Sequence, residues 1–94
     1  MSYEVVGKRV FDLVDRDAPD DVWDDFYITL ERLSVDGPYP ADQPSMGILP
    51  YQDYTKPNSF TVPMERGSIW YQVMRDFPVI KLIDAFWFED ELVL

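Results

Sequence analysis

The sequence predicts a single α+β domain: two N-terminal helical segments packed on an antiparallel β-sheet, with a three-stranded meander closing the chain. Three observations lead there. Residues 59–88 read as three β-type runs, split by the turn signals Glu65-Arg66-Gly67 and Arg75-Asp76-Phe77-Pro78. Ahead of them, residues 19–35 carry apolar side chains at helical spacing. The whole chain, 94 residues with 47% apolar and 16% aromatic content, suffices for one modest core and not for two. The expected layout is one domain over 1–94: strand and helices to 35, a proline-rich loop over 36–58, the meander over 59–88 and an acidic tail over 89–94.

Tyr3-Glu4-Val5-Val6 opens as a short β-type run ending near Gly7. From Lys8, the residues Val10, Phe11, Leu13 and Val14 share one face of a short helix, although one continuous strand would also accommodate the opening. Asp17-Ala18-Pro19 is a helix-start signal, and Asp20, Asp21, Asp24 and Asp25 crowd the first turns, where the helix dipole favours anions. Val22, Trp23, Phe26, Leu30 and Leu33 form the apolar stripe, and Asp36-Gly37-Pro38 stops the helix. Residues 36–58 are rich in Pro and Gly, and a loop that long in so small a domain is often functional. Its Met46, Ile48, Leu49, Tyr51 and Tyr54 are too apolar for a free linker, so it is expected to pack back on the sheet or to meet a partner. Ser59–Met64 reads as a strand whose Pro63 points to an edge or a bulge. In Ser68–Met74, the residues Ile69, Tyr71 and Val73 alternate with Ser68, Trp70 and Gln72. Val79–Phe88 is nearly continuous in apolar residues, which suggests a strand covered on both faces. In the tail, Leu92-Val93-Leu94 has two surfaces to choose from, the body of the domain or a second subunit of a homodimer.

Composition removes several kinds of chemistry. With no Cys there is no disulfide and no thiolate nucleophile. With no His, the commonest general base and metal ligand are missing, and a Ser-His-Asp mechanism is impossible within the chain. No cofactor and no metal are expected. Eighteen acids against eight bases, a net −10, repel phosphate backbones and suit a basic partner surface. The N-terminus lacks an apolar signal core and no run reaches membrane-spanning length, so a soluble cytoplasmic protein without membrane contact is expected.

The segment Gly67-Ser68-Ile69-Trp70-Tyr71-Gln72-Val73, followed by a turn and Val79-Ile80-Lys81-Leu82-Ile83, resembles the G-x-x-x-Y-x-V hairpin of the RelE/ParE superfamily of bacterial toxin–antitoxin pairs. Leu30–Pro38 is similar to the end of that family's helical hairpin, and the element order matches over nearly the whole chain. The resemblance implies a toxin-type component that pairs with a cognate antitoxin-like protein, bound as a helix or an added strand. Ribonuclease members use a Lys and Arg cluster on the meander, where cations stabilise charge building on the scissile phosphate. This chain has Ser68 and Ile69, and Thr61, Val62 and Pro63, where such members carry basic residues, and its last strand ends Phe86-Trp87-Phe88-Glu89-Asp90. Only Arg66, Arg75 and Lys81 remain as catalytic candidates on the meander. The departures favour a non-ribonuclease member, acting by protein binding or having lost activity. An acidic interaction or inhibitor protein, covering a basic partner by charge complementarity, is the alternative.

Other groupings have simpler readings. The carboxylates at 20, 21, 24 and 25 could ligate a metal, yet the helix start accounts for them. Asp84 interrupts an apolar strand and would need a partner such as Lys81 or Arg75 if it pointed inward. Tyr51, Tyr54, Trp70 and Trp87 sit among acids, which suits a protein interface or core better than base stacking.

Overall fold

The computed structural model describes residues 2–39, 51–53 (backbone alone), 58–74 and 76–88. The chain order is β1 (Glu4–Val6), α1 (Lys8–Asp17), α2 (Asp20–Asp36), β2 (Tyr51–Asp53), β3 (Ser59–Met64), β4 (Gly67–Val73) and β5 (Val79–Trp87). The α+β class and both helical segments agree with the sequence reading. The five strands form one sheet in the order β1-β5-β4-β3-β2.

The sheet is mixed, not antiparallel throughout. β2, β3, β4 and β5 pair antiparallel, but β1 lies parallel to β5, with Glu4 opposite Val79 and Val6 opposite Lys81. Parallel neighbours need a long crossover between them, and α1 and α2 form part of that path. The start of β1 is stapled to the end of α2: Tyr3 N–H donates to the Ser34 carbonyl at 2.8 Å, and the Ser34 hydroxyl donates to the Tyr3 carbonyl at 2.5 Å.

Two glycines make the sharp changes of direction. Gly7 turns β1 into α1 at φ 141°, and a Cβ there would meet the Leu82 Cβ at 2.7 Å. Gly37 ends α2 at φ 116°, its N–H donating to the Leu33 carbonyl at 3.1 Å. α2 starts and ends one residue later than the 19–35 read from the sequence, with Pro19 as its N-cap.

The core lies between the helices and one face of the sheet. Val10, Val14, Phe26, Leu30 and Leu33 come from the helices; Phe60, Val62 and Met64 from β3; Ile69, Tyr71 and Val73 from β4. The period of two on β3 and β4 is the alternation read from sequence. Tyr71 is fully buried, and its hydroxyl donates to the Pro38 carbonyl at 2.6 Å, so its one polar atom is satisfied.

β5 departs from the sequence reading. Its apolar run is not covered on both faces: Ile80, Leu82 and Ala85 are buried, whereas Lys81 and Phe86 are exposed. The cause is a bulge. Trp70 pairs with Asp84 and Tyr71 with Leu82, which leaves Ile83 as an extra residue and shifts the buried phase from even to odd positions. A second correction concerns the segment expected to be loop, which contains β2 over Tyr51–Asp53. Pro63 fits beside it, because β2 pairs only with residues 59–61 of β3. Among the described residues, the stretch from Val62 onward has a strand neighbour on the β4 side alone, where a missing N–H is tolerated.

Candidate functional site

The two basic candidates among the described residues, Arg66 and Lys81, do not come together. Arg66 sits in the turn between β3 and β4, with its side chain largely covered and each of its three guanidinium nitrogens hydrogen-bonded. Nη1 pairs with the Asp21 carboxylate of α2, Nη2 donates to the Phe88 carbonyl at 2.7 Å and Nε to the same oxygen at 3.3 Å. The Phe88 N–H returns to the Arg66 carbonyl at 2.7 Å. Beside it, the Glu65 N–H donates to Asp25 Oδ2 at 2.8 Å. Hydrogen bonding to Arg66 holds the Asp21 carboxyl below its ordinary range. The space among Asp21, Asp25, Met64 and Arg66 is about 10 Å³, enough for one water and no ligand.

Lys81 is exposed on β5, opposite Gln72 and Val6. Along the strands it stands six residues from Arg66, roughly 20 Å at strand rise. Arg75 lies outside the described residues. Arg66 is therefore a clamp between the sheet and the start of α2, and Lys81 is a solvated surface cation.

Of the aromatic candidates, Trp70 and Trp87 are described with their side chains. Trp70 is half-buried, in the row Tyr51–Thr61–Trp70–Asp84 that crosses four strands. For Tyr51 the strand position alone is described, and Tyr54 lies outside the described residues. Trp87 is half-buried: one side packs against the core, and it lines an open groove with Leu13, Ala85 and Phe86. Its neighbours Phe86 and Phe88 are the exposed rings, at 53% and 57%. Asp84 is half-buried next to the bulge, makes no ion pair among the described residues, and accepts the Ala85 N–H at 2.9 Å.

Several engaged residues carried no signal in the sequence. Asp15 Oδ1 accepts Trp23 Nε1 at 2.8 Å and the Tyr27 hydroxyl at 2.9 Å, tying α1 to α2. Burial first, and the hydrogen bond to Asp15 second, push the Tyr27 phenol up to about 12. Arg9 Nη2 donates to the carbonyl of Ile83, the residue that the bulge leaves without a partner on β4. The aspartates at four-residue spacing, Asp21 and Asp25, were visible as a helix start; their second task, holding the 65–66 turn, depends on tertiary contact.

Charge is concentrated on the helical layer. Residues 8–36 carry nine carboxylates against four cations, a net of −5. Among the described residues, no three potential ligands gather to hold a metal ion, and no helix is long and apolar enough to cross a membrane. Comparison with known protein families, curated proteins and solved structures found no match.

Proposed function

We propose that the chain is a RelE/ParE-like, toxin-type component of a bacterial toxin–antitoxin pair, acting in the cytoplasm by binding protein, not by cutting RNA. The observation that carries the second half is the state of Arg66. A phosphate-stabilising cation must present free donors to the developing charge. Each guanidinium nitrogen of Arg66 is already bound to Asp21 or the Phe88 carbonyl, and Lys81 is too distant to act with it. What supports the first half is the order of elements around the Gly67–Val73 strand, with β1 at the sheet edge beside β5. The alternative, an acidic protein that covers a basic partner, draws on the net −5 of the helical layer.

The test is cell-free translation with purified protein added, followed by mapping of messenger RNA ends, alongside expression in growing bacteria. The expected result is impaired growth, relieved by a partner encoded nearby, with no new RNA ends. New ends that vanish in Lys81→Ala would overturn the non-ribonuclease reading. Harmless expression, together with partner binding that falls steeply with salt, would replace the toxin-type reading with the acidic-inhibitor one.

A further inference from the structure

Helix α2 has a second apolar feature that the fold does not use. Its buried stripe, Val22, Phe26, Leu30 and Leu33, faces the core. On the opposite side, Ile28 and Val35 are 51% and 60% exposed. Both are β-branched, a class that lowers helix propensity, and exposed they add nothing to the core. They stand one heptad apart. With Glu31 and Arg32 between them they occupy positions i, i+3, i+4 and i+7, the four corners of a hole that receives a side chain from a neighbouring helix. With Asp36 these residues bound an open groove of about 280 Å³. Asp24 lies one turn before Ile28, so carboxylates at 24, 31 and 36 flank the hole against the single cation Arg32.

We propose that this outer face of α2 docks an amphipathic helix of a partner protein, with a large apolar side chain seated between Ile28 and Val35 and Lys or Arg residues along its flanks. The hole selects a helix, and the flanking carboxylates select a basic one. A second copy of this chain is the poorer occupant, since each copy brings a net −10 to the contact. The proposal rests on the protein-binding reading and not on the toxin-type one, so growth and translation assays leave it standing or falling by itself.

The probe is a fluorescein-labelled 21-residue peptide with Leu at heptad a and d and Lys at e and g, measured by anisotropy against the purified chain. The control peptide has the same composition, scrambled to remove the apolar stripe. Binding of the first and not the second is expected. Ile28→Ser combined with Val35→Ser weakens it about tenfold or more, as withdrawing two aliphatic contacts should. Both positions are exposed, so the circular dichroism spectrum stays unchanged. Glu31→Gln weakens binding and lowers its salt sensitivity below that of wild type, whereas Asp84→Asn, on the sheet face away from the helices, leaves it near wild type. Equal binding of the scrambled peptide, or full binding by the double variant, means bulk charge attraction and overturns the proposal. So does a concentration-dependent dimer in sedimentation that the double substitution dissolves, because the occupant is then a second copy.

Discussion

Gly67 shows how much one missing carbon decides. Across from it, β5 runs so close that a Cβ would lie 2.0 Å from the Phe86 carbonyl oxygen and 2.8 Å from the Trp87 Cα. Backbone, not a flexible side chain, is in the way, so the strands must part to admit it. Gly67→Ala is expected to lower stability by about 3 kcal/mol or more in urea unfolding, at the upper end for single substitutions. The Asp21–Arg66 pair acts in a different way. Its carboxyl is depressed in the fold by the hydrogen bond from Arg66, so its contribution is present above the ordinary value of 3.8 and is lost as pH falls through the lower folded value. The stability gap between wild type and Asp21→Asn should therefore be seen at neutral pH and close in acid below 3.8. A gap unchanged across that range would place the loss on something other than the carboxylate charge.

At the level of elements, β5 and α1 explain each other. The bulge leaves Ile83 without a partner on β4, and Arg9 of α1 donates to its carbonyl. Arg9→Ala should cost about 1 kcal/mol, below the usual range for a charged donor because the site is exposed. Amide exchange should quicken over residues 83–87, where β1 no longer runs alongside. An exchange pattern unaltered in β5 would remove Arg9 from the support of the bulge. Legibility follows the same division. Helix α2 and strands β3 and β4 were readable because spacing, glycine and proline act within a few residues. The bulge was not, since a continuous run such as Val79–Phe88 looks the same whether both faces are covered or the phase slips midway. The parallel neighbour β1 was invisible in its direction, because only the tertiary pairing sets it. Of the candidate site, the residue types were legible but their grouping was not. Arg66 reads as available and is held by Asp21 and the Phe88 carbonyl, while Asp21 and Asp25 read as dipole partners and also hold a turn.

The molecule as a whole carries its charge unevenly, with nine acids on the two helices. Repulsion among them opposes the compact state, and salt screens it over about 10 Å at 0.1 M. The melting temperature should rise by a few degrees from 10 to 300 mM sodium chloride, about the shift that a kcal/mol produces at this size. A flat response would mean that the Arg16, Lys8 and Arg66 pairs already neutralise the layer locally. The pairing of β1 with β5 has another effect, set by time. Val6 and Lys81 are partners, and a ribosome adding about 5–20 residues per second takes roughly 4–15 s to go from one to the other. For that interval the amino-terminal strand exists without its mate, next to a newborn helical pair whose Val10, Val14 and Phe26 have no sheet to cover them. Nascent chains of this protein thus pass through a stage of seconds in which a sticky surface is open to chaperones, and the sheet's last seam closes only when synthesis has passed Lys81.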